Sequence, residues 1–196
     1  MKLKAQLAGA AALFAVMVPA ACATPAGQLS AQPGSAADAP ITEAEVIAAQ
    51  NAWGNALVEI ATTYDTKGIE EARKVAEDII EAAYDYENRP VLFKPTLAAA
   101  PTTFRTTAEG ALAYFVGQNA NFPGDTGFAL KGWRSFSIDN AAVYINGDTA
   151  ISMGNVNMTD AAGNTTTVDK TWAWTRDGDG SLQIVLHHSS LPYSAN

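Results

Sequence analysis

The stretch Leu182-Gln183-Ile184-Val185-Leu186-His187-His188-Ser189-Ser190-Leu191-Pro192-Tyr193 sets how the rest of the chain is read. Apolar and β-branched residues run into both histidines of the protein, two serines and a proline, with Gly180 just upstream. Residues of this kind between a glycine and a proline fit a pleated, half-buried surface, so the sequence predicts a strand. Side chains alternate along a strand. Gln183, Val185, His187 and Ser189 are therefore expected on one face, and Ile184, Leu186, His188 and Ser190 on the other. An imidazole beside a hydroxyl at the end of an apolar strand is a place for proton transfer. The same residues also read as a core histidine satisfied by its neighbours, with the serines closing a turn.

Upstream of this strand the hydrophobic period is two. Trp133, Phe136, Ile138, Val143 and Ile145 mark one long or bent strand, Asn146-Gly147-Asp148 a tight turn, and Ala150 to Thr159 the next strand. Asp160 to Asn164 turns again, Thr165 to Arg176 returns, and Asp177-Gly178-Asp179-Gly180 leads into the final strand. That aspartate-glycine run lacks the ligand spacing and closing glutamate of a calcium loop, so it reads as a hairpin. Asn157-Met158-Thr159 and Asn164-Thr165-Thr166 fit the glycosylation acceptor pattern, which matters only in a eukaryotic secretory route.

Before residue 128 the period is that of a helix. Thr42 and Glu45 form a capping box, and Val46, Ala49, Trp53, Leu57, Ile60 and Tyr64 follow at steps of three and four. Gly68 separates a second helix, from Ile69 to Tyr86, with Ala72, Ala76, Ile79, Ala83 and Tyr86 inward and Glu70, Glu71, Arg73 and Lys74 outward. Val91 to Thr96, interrupted by Pro95, reads as an edge strand or a turn. A third helix is expected from a capping box of Thr106 and Glu109 to about Gly117. Ala111, Leu112, Phe115 and Val116 lie on its buried side and Tyr114 at the margin, where its hydroxyl can reach a cavity.

Residues 1–23 have the build of a secretory signal peptide: Lys2 and Lys4, an apolar run from Ala8 to Ala21, then Ala21-Cys22-Ala23 as a small-x-small cleavage site. The run is too short to span a bilayer. Cleavage after Ala23 removes Cys22, the sole cysteine, and with it any disulfide, thiolate metal site or cysteine nucleophile. Lipidation at Cys22 is the less favoured alternative, because Pro19 stands where such cleavage motifs usually carry an aliphatic residue. The expectation is an exported protein, periplasmic or secreted. Residues 24–40, rich in Ala, Gly, Pro and Ser, read as a flexible leader, and residues 41–196 as one domain. The formal charge of −8 argues against nucleic acid and anionic membrane surfaces as partners.

Three helices followed by a four-strand antiparallel meander make an α+β plan, helices packed on one face of a curved sheet. Curvature leaves a cone, with a pocket between the helices and the concave face. This plan, Trp53 in the first helix and the ending Ile184 to Pro192 resemble the nuclear transport factor 2-like superfamily, in particular the association domain of calcium/calmodulin-dependent protein kinase II. Phe93-Lys94-Pro95-Thr96, Phe104-Arg105-Thr106, Ala111-Leu112-Ala113-Tyr114-Phe115 and His187-His188-Ser189-Ser190-Leu191-Pro192 are similar, more narrowly, to the iota class of carbonic anhydrases. The resemblance implies reversible hydration of carbon dioxide to bicarbonate in a pocket lined by Thr96, Tyr114, His187 and Ser189. The first, second and fourth of these would bind substrate through their hydroxyls. It also implies a homodimer.

The family resemblance leaves metal use open, and the composition narrows it. A catalytic zinc takes three protein ligands, usually with histidine among them. The two histidines here are adjacent on a strand and point to opposite faces, so they do not chelate one ion. A metal-free mechanism is expected, with manganese or zinc held mainly by carboxylates and water as the alternative. Without a metal, His187 would deprotonate water directly or through the Tyr114, Thr96 and Ser189 hydroxyls, a contribution of roughly two to four powers of ten. Arg105 reads as a surface or interface residue, its other possible task being to offset the anion's charge. Two further readings share the fold: a lyase or isomerase of the polyketide cyclase or ketosteroid isomerase type, for which Asp65 and Asp85 are the available acids, and a ligand-binding or assembly module without chemistry.

Overall fold

The computed structural model describes residues 39–195. The expected signal peptide, Cys22 and all but the end of the expected leader lie outside them. The first helix, α1, spans Glu43–Lys67 and starts on the expected capping box: the Thr42 hydroxyl accepts from Glu45 N at 3.3 Å, and Glu45 Oε2 accepts from Thr42 N at 2.8 Å. Its inward stripe, Val46, Trp53, Leu57 and Ile60, is buried. Each such large side chain contributes on the order of 1.5–3 kcal/mol by leaving water.

The second helix, α2, runs Ile69–Ala83 and ends three residues before the expected Tyr86. Tyr84 takes an extended conformation and bridges to Ile184, and Asp85 N donates to Ile184 O at 3.2 Å. Pairing with the sheet thus outcompetes continuation of the helix. Ile80 and Tyr84 are buried in its place on the inward side, at 4% and 2% exposure, while Ile79 and Ala83 are only half-buried.

Strand β1, Leu92–Lys94, is short, as the proline-interrupted sequence requires. The third helix, α3, spans Ala108–Val116 and is capped by Thr107, which accepts from Gly110 N at 3.2 Å; the expected cap at Thr106 is off by one residue. Glu109 turns outward and accepts from Asn119 and Asn121, each at 3.0 Å, so no capping box closes here.

Four long strands follow: β2 Trp133–Asn146, β3 Thr149–Asp160, β4 Thr165–Arg176 and β5 Leu182–Ser190. They form the expected antiparallel meander, and β1 adds to β5 in parallel, giving the order β1-β5-β4-β3-β2. The fold is α+β, three helices on one face of a curved sheet. Bulges bend two of its strands. One, near Ala141 in β2, makes it the bent strand the sequence suggested. It sits against Gly154, where a Cβ would lie 2.1 Å from the Asp139 carbonyl oxygen, so only glycine fits that close approach. A second register shift in β2 falls at Arg134, and a bulge in β5 leaves Val185 unpaired, because Trp174 pairs with Ile184 and Ala173 pairs with Leu186. Alternation is reset there. Ile184 joins His187 and Ser189 on the buried face, whereas strict period-two counting placed it on the opposite side.

Candidate active site

The site grows from adjacent strands of the helix-covered face. Trp172 of β4 is registered opposite His187 of β5, and Lys170 opposite Ser189. Directly opposed residues have Cβ atoms about 4.5–5.5 Å apart, so these four side chains form a two-by-two block. All four are at most 3% exposed. His188, one residue along, is exposed on the other face, as alternation requires. β1 closes the edge of the block: Phe93 is registered with His187 and stacks on its imidazole, with ring centroids 4.4 Å apart.

The chain after β1 then brings in the first hydroxyl. Thr96 Oγ1 and Ser189 Oγ lie 2.6 Å apart. Lys94 Nζ donates to the Ser189 carbonyl at 2.9 Å and fixes that end of β5. Tyr114 comes from α3, packed edge-on against Phe93 and stacked on Phe128, and it is buried at 6% exposure. Its hydroxyl accepts from Leu97 N at 3.4 Å and is within reach of Thr96. The four residues named from the sequence are therefore brought together: Thr96, Ser189 and Tyr114 as a hydroxyl cluster, and His187 beside Ser189 on the same face.

The partners of His187 decide its chemistry. Its Nδ1 lies 2.9 Å from the Tyr84 hydroxyl, which in turn accepts from Trp53 Nε1 at 3.0 Å. An indole N–H only donates, so the tyrosine oxygen accepts there and its own proton is free for His187 Nδ1. Assigned from this network, the imidazole carries its hydrogen on Nε2. The reverse tautomer would leave the buried tyrosine proton without an acceptor among the described residues, at a cost of roughly 1–3 kcal/mol. His187 Nε2 has no hydrogen-bond partner among the described residues, and neither does Trp172 Nε1. The site thus holds a buried imidazole presenting an unused N–H. That changes the expected role of His187: in this tautomer its free nitrogen donates and does not abstract a proton.

Electrostatics keep the cluster neutral. Burial holds His187 well below the ordinary imidazole range. Burial likewise pushes the Tyr84 and Tyr114 phenols up, so both remain protonated donors. Lys170 is held well below the usual lysine range by burial. Its Nζ sits 3.7 Å from the centroid of the Trp53 ring and 5.0 Å from that of Trp172.

Arg105 is not on the surface. It is 2% exposed and meets Asp125 through Nη2 at 2.8 Å to each carboxylate oxygen and through Nε at 3.2 Å, with further donation from Nη1 to the Thr102 carbonyl. Its charge is matched inside the protein. Asp65 and Asp85 are also engaged elsewhere, with Arg134 at 2.5 Å and Arg89 at 2.6 Å. Among the described residues no group of three or more His, Cys, Asp and Glu side chains is placed to hold a metal ion. A groove of about 360 Å³ runs between α2 and α3, lined by Ile80, Leu112 and Glu109 among others, and meets the site only through Tyr84.

Sequence reasoning missed two members of the site. Tyr84 was hidden by an expected helix that ran through it. Lys170 carries a readable signal, a lysine in the inward register of Val168, Trp172 and Trp174.

The chain resembles proteins of known activity along this whole framework. It is 61% identical over 153 residues to a metal-independent carbonic anhydrase of Nostoc sp., covering 78% of this chain and 75% of the relative. A crystal structure of the iota-carbonic anhydrase from a cyanobacterium, complexed with bicarbonate, superposes with a TM-score of 0.81 at 56% identity, over 85% of this chain and 100% of that one. A calcium/calmodulin-dependent protein kinase II association domain from Xanthomonas campestris shares the fold, with a TM-score of 0.52 at 21% identity over 81% of this chain and 96% of that one. The family model of metal-independent carbonic anhydrases matches residues 44–191, from the first turn of α1 past the end of β5. With every element that builds the Thr96, Tyr114, His187 and Ser189 cluster inside that span, the chain belongs to the metal-independent carbonic anhydrase family.

Proposed function

We propose that this carbonic anhydrase interconverts carbon dioxide and bicarbonate within the enclosure of Thr96, Tyr114, His187 and Ser189, using protein groups alone. The observation that carries the reading is the buried, unpartnered His187 Nε2 beside the hydroxyl pair of Thr96 and Ser189. Carbon dioxide is neutral and loses little by leaving water for a place beside His187 and the Phe93, Trp53 and Trp172 rings packed against it. As water adds to its carbon, negative charge develops on the oxygens. The His187 N–H, fixed by Tyr84 and Trp53, donates to one of them, and a donor so placed is worth about two to three powers of ten. Thr96, Ser189 and Tyr114 hold the attacking water and the other oxygens, and orientation of this kind supplies further acceleration. The bicarbonate in the similar cyanobacterial structure supports this choice of ligand.

The test is stopped-flow hydration of carbon dioxide in excess chelator, with metal content measured in the same sample. Activity surviving chelation, and falling about a hundredfold in His187→Ala, is the expected result. Full activity in that variant overturns the role given to His187, and activity restored only by added manganese or zinc overturns the metal-free reading. We also propose that the protein is exported and acts as a homodimer; the mature N-terminus in cell fractions and light scattering of the purified protein test these points.

A further inference from the structure

Beside the phenols of Tyr84 and Tyr114, the buried residues include the charged or titratable Asp85, Arg105, Lys170 and His187. Asp85 and Arg105 have partners of opposite charge, and His187 is neutral on its tyrosine. Lys170 stands apart. It has neither a carboxylate nor a hydrogen-bond acceptor among the described residues; what faces its Nζ is the ring of Trp53 and, farther off, that of Trp172. A buried amine of this kind would ordinarily be replaced by an apolar residue, because an unpaired polar group in an apolar enclosure costs stability. Its position is that of a participant, opposite Ser189 and diagonal to His187.

The groups around it leave its charge unopposed. On β5, His187 is neutral and Ser189 uncharged, while His188 lies on the opposite face. Lys94 of β1 is occupied by the Ser189 carbonyl. Asp169, beside Lys170 in β4, is exposed on the other face and accepts from Asn155, and Asp139 of β2 accepts from Asn157. From α1 come Trp53 and Gln50, the latter engaged with Asn140 and Ser152, and after α2 comes the protonated Tyr84.

We propose that Lys170 is the proton acceptor of the hydration step, and that the ammonium so formed holds the bicarbonate until release. The inference rests on the carbonic anhydrase reading. In the step, the water oxygen bonds to carbon, one O–H bond of that water breaks, and its proton goes to the lone pair of Nζ. Carbon dioxide, water and amine become bicarbonate and ammonium, and no other reactant is needed. His187 does not fill this place, because its free nitrogen already carries a hydrogen. Burial lowers the affinity of this lysine for a proton and so favours the neutral amine, the form suited to general base work. The two tryptophan rings present their electron-rich faces to the ammonium as it forms. When bicarbonate leaves, the same burial returns the proton to solvent and resets the site.

The experiment pairs kinetics with a direct view of the amine. In Lys170→Met, hydration at saturating carbon dioxide should fall by roughly 10²–10⁴-fold and lose the alkaline rise of its pH profile. Lys170→Arg, charged but not a base, should fall as far. In the unmodified protein, with 13Cε-labelled lysine, one side chain should titrate well below the others by NMR, and added bicarbonate should move that titration upward. This measurement decides the matter if the variants do not fold. Lys170→Met within threefold of the parent, Lys170→Arg fully active, or every lysine titrating in the ordinary range would overturn the proposal while leaving the carbonic anhydrase reading intact. An unmodified protein without hydration activity would overturn both.

Discussion

Replacing Tyr84 with phenylalanine removes one oxygen from a buried chain and leaves the packing nearly unchanged. That oxygen serves two groups, accepting from Trp53 Nε1 at 3.0 Å and meeting His187 Nδ1 at 2.9 Å. Tyr84 is 2% exposed, Trp53 5% and His187 1%, so water does not readily replace the lost hydroxyl. Leaving a buried polar group unsatisfied costs about 1–3 kcal/mol, and two are left, so a loss of roughly 2–6 kcal/mol is expected. In a domain of this size each kcal/mol corresponds to about 2–4 °C, which puts the fall in Tm at roughly 4–24 °C by calorimetry. The catalytic consequence is separate. With Nδ1 released, His187 is no longer held to the Nε2–H tautomer, and nitrogen chemical shifts of the labelled imidazole should show a mixture where the parent shows one form. Hydration activity should fall with the population of the donating tautomer. A variant as stable as the parent, or a parent whose imidazole carries its hydrogen on Nδ1, would refute the reasoning.

Asp125→Asn leaves the Arg105 guanidinium buried without its counter-charge, which should cost about 3–5 kcal/mol in urea unfolding; a change below 1 kcal/mol would mean that the arginine reaches water. Gly154→Ala places a methyl group against the Asp139 carbonyl at the β2 bulge and should cost roughly 1–3 kcal/mol, read as a lower Tm, whereas an unchanged Tm would show that the bulge can shift. The pH dependence follows from His187. Burial lowers its affinity for a proton in the folded state, so below about pH 6.5 the unfolded chain binds a proton the folded one does not. Its contribution is complete above that value and declines as the pH falls, by up to ~1.4 kcal/mol per pH unit between pH 6.5 and 5. His187→Gln should remove this slope from urea midpoints, and a slope that persists would assign it to other groups.

The parts of this fold legible in the sequence are those set by local chemistry. The Thr42–Glu45 capping box fixes the start of α1, and the glycine and asparagine turns at 146–148 and 160–164 fix the hairpins that register β2 through β4. The parts that escaped depend on a partner far away in the chain. Tyr84 fits the helical period, yet a bridge to Ile184, a hundred positions on, draws it out of α2. The bulge at Val185 has no glycine to announce it, and it moves Ile184 to the face opposite the one that counting assigns. Arg105 follows a phenylalanine and precedes two threonines, a context that reads as surface until Asp125 is brought against it. Of the site itself, Thr96, Tyr114, His187 and Ser189 came from motif resemblance. The period-two alternation placed His187 and Ser189 together on independent grounds.

Charge accounting links the two cations of the interior. Carbon dioxide arrives neutral and bicarbonate leaves as an anion, so a site built around a permanent cation would favour product over substrate and slow its release. Arg105, which is always charged, is neutralised by Asp125 in a bidentate pair. Lys170, which can be neutral, has no such partner. With Lys170 acting as the proposed base, the site is uncharged before the reaction and holds an ion pair after it, so that the positive charge exists only while there is bicarbonate to balance. The aromatic neighbours serve both states: Phe93 on His187 and the Trp53 and Trp172 rings beside Lys170 lower the local dielectric, so the His187 N–H and the Lys170 ammonium act on the developing anion more strongly than they would in solvent. A carboxylate in place of Lys170 would invert this, placing a negative charge beside a negative product. On this account an unpaired lysine against tryptophan rings is what the chemistry requires at that position.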